Sequence, residues 1–258
     1  MWRKFRIAIL LLVLASVAQT AWLAKTRSVE WKSPLRVAVY PINGDGSAIA
    51  DDYLRSLNDD SFNTIEDFIQ EEAQRYGITT HRPLDISLAQ EVKSLPPPAP
   101  RDSNVLGIMW WSLKLRFWVW RNDAFDGPKP QVRLFVMYFD PTQNPRLGHS
   151  LGLEKGLIGV VKVFAARPMA GRNNFVIAHE LLHTLGATDK YDLATNLPRH
   201  PEGYAEPQLQ PLHPQQFAEI MGGRVAVSET NATMPVGLRQ TLIGHETATE
   251  INFISTEK

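Results

Sequence analysis

Two histidines and a glutamate stand at a spacing that suits metal-dependent hydrolysis. His179 and His183 are four residues apart in the segment HELLH, so on a helix both imidazoles project from one face, about 5–6 Å apart at Cβ. Both rings can then reach one ion at about 2.0–2.1 Å. Glu180 is offset from His179 by about 100° around the helix, where it can hold a water molecule without binding the ion. The spacing therefore predicts a metal site with an adjacent general base.

The third metal ligand is predicted from the residues that follow the helix. A catalytic zinc site needs a third protein ligand and one open position for water. The chain contains no cysteine, so the ligands must be imidazoles and carboxylates. Gly186 can take a positive φ, end the helix and turn the chain beneath it, and we expect Asp189 then to face the metal. A distant glutamate is the alternative third ligand, with three candidates: Glu202, Glu206 and Glu219.

Residues 179–189, with the sequence HELLHTLGATD, resemble the active-site segment of the metzincin clan of zinc peptidases. The clan pattern is HExxHxxGxx followed by His or, in a minority of families, by Asp. Clan members also have a tight turn with a methionine beneath the metal. The segment EIMGG at residues 219–223 is similar to that turn, and Met221 would be its methionine.

The resemblance implies a zinc ion held by His179, His183 and Asp189. It also implies that Glu180 takes a proton from the zinc-bound water as the water attacks the scissile carbonyl, and then delivers it to the leaving amine. Some clan members place a tyrosine shortly after the turn methionine to stabilise the transition state, but none occurs here in GGRVAV. Two nearby tyrosines are the candidate substitutes: Tyr191 and Tyr204.

The elements around this segment predict an α+β fold. Apolar, β-branched runs predict strands at residues 35–42, 85–88, 131–139 and 156–165. Helical periodicity predicts helices at residues 51–76, 102–121, 172–185 and 236–251. This order is similar to the metzincin fold. The resemblance implies a mixed twisted sheet with helices in an N-terminal subdomain to about residue 186, and a smaller, irregular C-terminal subdomain, residues 187–258, that ends in a helix.

The metzincin resemblance also implies an antiparallel edge strand along the substrate cleft. Backbone pairing to such a strand would hold a peptide extended across the zinc. Residues 156–165 are the candidate for this strand.

Residues 102–121 contain four of the seven tryptophans. Five apolar residues fit one helical face: Leu106, Met109, Leu113, Phe117 and Trp120. Residues 113–120 also alternate as a strand would, but the length of the segment favours a helix capped by Asp102 or Ser103. The tryptophans could rest on a membrane surface, and the interpretation we favour is that they belong to the core.

The first 26 residues predict a targeting or anchoring segment. A cationic leader, WRKFR, precedes the apolar run of residues 7–18. Small residues at Ala18 and Ala21 suit a signal peptidase, whereas the apolar flank after Ala21 and the basic leader suit a single-pass membrane anchor. We favour the anchor. In either case residues 27–258 are expected to form a metallopeptidase domain outside the cytoplasm.

The overall charge excludes one class of partner. Lys plus Arg and Asp plus Glu both number 27, so no concentration of basic charge indicates a nucleic-acid-binding protein. The leading hypothesis is an extracytoplasmic zinc endopeptidase that acts on a peptide or protein substrate. The alternative is a non-catalytic, zinc-stabilised binding module at the membrane, although a structural zinc site needs no base such as Glu180.

Overall fold

A five-stranded mixed sheet organises the computed structural model, which describes residues 28–100, 105–148, 150–153 and 156–254. Its strands are β1 (Leu35–Asn43), β2 (Leu84–Leu88), β3 (Val132–Phe139), β4 (Leu151–Leu153) and β5 (Ile158–Phe164). The spatial order is β2-β1-β3-β5-β4. All neighbouring pairs are parallel except β4 with β5, which is antiparallel. The predicted α+β class is confirmed.

Helices cover both faces of this sheet. The α-helices are α1 (Ala48–Arg55), α2 (Asn63–Arg75), α3 (Val105–Asn122), α4 (Ala170–Leu185) and α5 (His245–Glu250). Short 3-10 helices occupy Asp59–Phe62, Arg167–Met169 and Leu238–Gln240. After α4 the strands are very short: β6 (Ala218–Glu219) pairs with β9 (Thr241–Leu242), and β7 (Val225–Ala226) pairs with β8 (Ala232–Thr233).

The central strands are mainly apolar, as expected for strands that are covered on both faces. On β1, Val37 and Val39 pack in one cluster with α1, α2 and α4. Ala38 and Tyr40, which point to the opposite face, pack in a second cluster with α3. The sheet therefore lies between α3 on one side and the helix that carries the histidines, α4, on the other.

The single long helix predicted for residues 51–76 is wrong, because the chain breaks between α1 and α2. Asn58 has an extended backbone (φ −147°, ψ 179°), and its side chain accepts a hydrogen bond from the Ser61 N–H at 3.2 Å. The Ser61 hydroxyl in turn accepts from the Asn58 N–H at 3.0 Å. This reciprocal cap starts a new helical segment. Helical periodicity alone instead favours one helix that continues through these residues. Gly77 lies just past α2 with φ +82°, a left-handed conformation in which glycine commonly ends a helix.

Two further predictions need correction. Residues 156–165 do not form the sheet edge, because β5 pairs on both sides and the three-residue strand β4 is the antiparallel edge. The long C-terminal helix predicted for residues 236–251 is reduced to α5. Its first half is instead a 3-10 helix and β9, since Thr241 pairs with Ala218 in the small sheet.

Residues 105–122 form the helix predicted for residues 102–121, but four members of the apolar face identified in the sequence are exposed: Met109, Leu113, Phe117 and Trp120. Trp111, Leu115 and Val119 of α3 are buried against the sheet. Six large apolar side chains are instead 44–75% exposed: Ile108, Met109, Trp110, Leu113, Phe117 and Trp120. The core placement of the tryptophans is therefore wrong for Trp110 and Trp120. The helix is apolar on both sides, and only one side can pack on the sheet.

Two predictions concern residues that the structure does not describe: the membrane segment at residues 1–26 and the helix cap at Asp102 or Ser103. Within the ranges that the structure describes, no helix combines the length and the apolar character needed to span a bilayer.

The cap between α1 and α2 can be tested by mutation. Asn58→Ala should lower the free energy of unfolding by about 1 kcal/mol, because it removes the acceptor for the Ser61 N–H. The matched control is Asn63→Ala, an exposed asparagine that donates to the Asp60 side chain at 3.1 Å, and it should cost less than about 0.5 kcal/mol. Urea unfolding measures both, and equal losses in the two variants would contradict the cap.

Candidate metal centre

Helix α4 is fixed to the sheet at its start and along one side. The Asn173 side chain donates to the Phe164 carbonyl at 2.8 Å and accepts from the Phe164 N–H at 3.2 Å, which joins the helix to the end of β5. Ile177, Leu181 and Leu185 are buried in the core on the side that faces the sheet. This packing sets the rotation of the helix, and with it the direction in which the two histidines point.

The chain reverses at Gly186, as the sequence predicts. Gly186 has φ +111° and follows the last residue of α4, a left-handed conformation that other residues adopt at a cost. The Ala187 N–H then donates back to the Leu182 carbonyl at 3.0 Å. The turn brings the Ala187 carbonyl to the His183 ring, where it lies 2.8 Å from Nδ1.

The reversal places Asp189 against both histidines. Asp189 Oδ1 lies 3.2 Å from His179 Nε2 and 3.1 Å from His183 Nε2, and the two Nε2 atoms are 3.1 Å apart. A tetrahedral zinc ion with bonds of about 2.0–2.1 Å holds its ligand atoms about 3.3 Å from one another. These three residues form a group that could hold a metal ion, and the glutamates considered as alternative ligands are not in it.

Hydrogen bonds to backbone carbonyls determine which nitrogen of each histidine is available to bind a metal ion. His179 Nδ1 lies 2.9 Å from the Ile220 carbonyl, and His183 Nδ1 lies 2.8 Å from the Ala187 carbonyl. Since a carbonyl only accepts, each Nδ1 carries the proton and each Nε2 presents a lone pair. Two lone pairs thus face a carboxylate oxygen, Asp189 Oδ1, which has no hydrogen-bond partner among the described residues. Such a cluster of acceptors repels itself unless a cation lies among them.

The charges of the site favour that cation. Burial alone would lower the pKa of His179, but the carboxylates of Asp189 and Glu180 outweigh burial and raise it. Burial acts to raise the pKa of Asp189, but the two imidazoles outweigh it and lower the pKa well below the usual range. The two shifts show that the carboxylates of the site and positive charge beside them stabilise each other. The donor set of two imidazoles and one carboxylate is a common one for a catalytic metal.

A tyrosine stands beside the ligand group. The Tyr191 ring lies 6.4 Å from the His179 ring, between centroids. Burial and the negative charges of Asp189 and Glu180 raise the pKa of Tyr191 to about 12, so its phenol keeps its proton at neutral pH. Tyr204, the other tyrosine considered from the sequence, instead faces His213 Nε2 at 3.1 Å from its hydroxyl.

The methionine turn lies beneath the histidines and is held by a buried carboxylate. Met221 is fully buried, and its carbonyl accepts from the Lys190 N–H at 2.8 Å. The Glu219 side chain, also fully buried, accepts from the Gly222 N–H at 2.7 Å, from the Gly244 N–H at 3.1 Å and from the Thr247 hydroxyl at 2.7 Å. The residue considered as an alternative ligand therefore ties the turn to the start of α5. A side chain at Gly222 would overlap the Gly203 carbonyl.

A groove of about 870 Å³ adjoins the ligand group at His179. His179, Glu180 and Tyr191 line it, together with apolar side chains that include Phe175 and Met234. Four basic residues also line it: Arg146, Lys162, Arg172 and Arg224. None of the four forms an ion pair with a carboxylate in the described part of the chain. They are far apart in the sequence, so no local motif could have indicated that they share a groove.

The comparisons with known proteins do not assign a family. No protein-family model matches the sequence, and no curated protein matches it. Among solved structures, wild-type OgpA from Akkermansia muciniphila aligns with 88% of this chain at 16% sequence identity and a TM-score of 0.39. The alignment covers 63% of the OgpA chain, so this chain spans less than two thirds of that protein. A likeness of this degree establishes neither a shared family nor a shared activity.

The role of Glu219 in holding the turn can be tested without the metal. Glu219→Gln puts an amide N–H₂ against N–H or O–H donors and should lower the free energy of unfolding by at least about 2 kcal/mol. Thr247→Val, the matched control, removes a single donor and should cost about 1 kcal/mol. Thermal unfolding of both apoproteins measures the difference. A smaller effect for Glu219→Gln than for Thr247→Val would show that the carboxylate does not organise the turn.

Proposed function

We propose that this chain is a zinc-dependent endopeptidase of the metzincin type. The observation that supports it best is the convergence of His179 Nε2, His183 Nε2 and Asp189 Oδ1 at about 3 Å from one another. Glu180 follows the first of these ligands on the same helix and lines the same groove. The resemblance of residues 179–189 to the metzincin active-site segment points to the same chemistry.

Each side chain has a separate part in the proposed hydrolysis. The two imidazoles and Asp189 hold the metal, and a bound zinc ion supplies Lewis acidity to water and to the scissile carbonyl. Glu180 accepts the proton of the attacking water and passes it to the leaving amine. Tyr191, whose phenol stays protonated, donates a hydrogen bond to the developing oxyanion. It takes the part of the tyrosine that some metzincins place after the turn methionine.

The non-catalytic binding module is the less favoured alternative. A structural zinc site closes its fourth position with another protein ligand and needs no base. Here His179 of the three possible ligands lines a groove, and Glu180 lines the same groove. We further propose that the domain acts outside the cytoplasm, with residues 1–26 as a membrane anchor or a cleaved signal peptide.

Metal content separates the ligands from the base. Purified full-length chain, dialysed against zinc, should hold about one zinc ion per chain by mass spectrometry. Glu180→Gln should keep the metal and lose at least about 100-fold in peptidase kcat/KM, because the carboxylate no longer takes the proton. Asp189→Ala should lose the metal. The matched control is Asp192→Ala, which removes a carboxylate that accepts hydrogen bonds within its own loop and should keep both metal and activity.

The outcomes of this experiment are distinct. Equal zinc in all four proteins, or none in the wild type, would exclude the proposed ligand set. Zinc bound through Asp189 without hydrolysis of any peptide in a broad quenched-fluorescence library would instead support the binding module.

The basic lining of the groove predicts a preference among peptide substrates. Arg146, Lys162, Arg172 and Arg224 are all cationic at neutral pH, so peptides with acidic residues near the scissile bond should be cleaved faster than their glutamine counterparts. The double variant Arg172→Gln/Arg224→Gln should lower kcat/KM for Glu-containing peptides about three- to thirtyfold, since each exposed pair contributes about 0.3–1 kcal/mol. For the matched Gln-containing peptides it should change little.

Two controls complete that test. Arg55→Gln changes an exposed arginine of α1 that pairs with Asp52 and should leave the ratio of the two substrates unchanged. Raising the ionic strength should reduce the wild-type preference, because salt screens exposed charges. An unchanged ratio in the double variant would remove the charge preference and leave the proposed hydrolysis intact.

A further inference from the structure

Helix α3 carries an apolar surface that no other part of the described chain covers. Five large apolar side chains on one side of it are 58–75% exposed: Met109, Trp110, Leu113, Phe117 and Trp120. We propose that this surface rests on the interface of a bilayer that contains anionic lipids, with α3 lying parallel to the membrane plane. The proposal is independent of the peptidase activity.

The exposed side chains form one stripe along the helix. At 100° per residue, Met109, Leu113, Phe117 and Trp120 fall within one narrow sector. Leu115, on the opposite side, is completely buried against the sheet. The stripe therefore points directly away from the protein. An 18-residue helix is about 27 Å long, so the stripe can lie in the interfacial layer without spanning the membrane.

Basic residues flank the stripe on both sides. Lys114 and Arg121 fall on one border at 100° per residue, and Arg116 falls on the other. The helix has the sequence VLGIMWWSLKLRFWVWRN, which contains no aspartate or glutamate. Apolar and aromatic residues at the centre with Lys and Arg at the borders match the arrangement that binds helices to anionic lipid surfaces. Tryptophan in particular favours the headgroup layer.

The same charges disfavour coverage by a second copy of α3 or by the basic N-terminal segment. A second copy packed face to face would bring the basic borders of two helices together with no acidic residue from either helix to pair with them. The N-terminal segment of the chain begins with the basic sequence WRKFR, which adds to this positive charge. A lipid surface with anionic headgroups supplies the negative charge that neither a second α3 nor the WRKFR sequence provides.

Spin labelling of the full-length chain tests the proposal directly. Because the sequence has no cysteine, Leu113→Cys gives a single labelling site in the stripe. Leu193→Cys is the control, since Leu193 is 71% exposed in a loop outside α3. Each labelled protein is mixed with vesicles of phosphatidylcholine and phosphatidylglycerol at about 7:3. Accessibility to oxygen and to a water-soluble nickel chelate then reports the depth of each label, and unchanged thermal midpoints confirm the fold.

The Leu113 label should become accessible to oxygen and shielded from nickel on these vesicles, while the Leu193 label stays accessible to nickel. An aqueous Leu113 label on vesicle-bound protein would overturn the proposal, and so would failure of the protein to bind the vesicles. Shielding from both reagents before vesicles are added would also overturn it, since another protein surface would then cover the stripe. Dipolar broadening would identify that surface as a second copy.

A charge variant tests the choice of lipid. In Lys114→Glu/Arg121→Glu the stripe is unchanged, but one border becomes acidic. Immersion of the Leu113 label should fall at least about tenfold on phosphatidylglycerol vesicles, because each basic residue near an anionic surface contributes about 1 kcal/mol. Equal immersion of the charge variant and its parent would contradict the anionic surface.

Discussion

Two hydrogen bonds that imidazoles donate to backbone carbonyls determine the geometry of the candidate metal centre. The Ile220 and Ala187 carbonyls each hold a histidine Nδ1–H, which fixes both tautomers and aims both Nε2 lone pairs at Asp189. One carbonyl comes from the turn that Gly186 makes, and the other from the residue before Met221. The two segments of the motif, although thirty residues apart in the chain, therefore act on the same pair of rings. A shift of either segment would misdirect a ligand without changing any ligand residue.

The segment after α4 is held in place by buried polar bonds in addition to the apolar side chains that it adds to the core. Its strands are two residues long, too short to form a sheet with its own core. Glu72 of α2 instead accepts the Ile243 N–H at 2.6 Å, and the buried Lys190 ammonium lies 2.7 Å from Glu250. Glu219 joins the methionine turn to α5. These bonds are directional, so they hold the ligand-bearing loops in one arrangement, which apolar packing of small elements does less well.

The sequence could predict the ligand group because its spacing is local. His179, His183, Gly186 and Asp189 lie within 11 residues, positions 179–189, so helical geometry and one turn largely determine their arrangement. The parallel strands could be predicted from their continuous apolar runs. Features that depend on residues far apart in the sequence could not be predicted: the edge strand β4, the short C-terminal helix, the buried role of Glu219 and the basic groove. The side of α3 that faces solvent was predicted wrongly for a related reason. Both sides of the helix are apolar, and apolar periodicity does not indicate which of them packs on the sheet.

Because α3 and α4 lie on opposite faces of the sheet, the exposed stripe on α3 and the metal ligands are held apart. Any surface that contacts the stripe on α3 is separated from the metal ligands by that helix, about 10 Å thick, and by the sheet behind it. A polypeptide lying flat on such a surface would therefore stop short of the ligands. Segments that rise clear of the surface, such as loops and extended stalks, could reach them. The layered fold would in this way select substrates by their height above the surface as well as by their sequence.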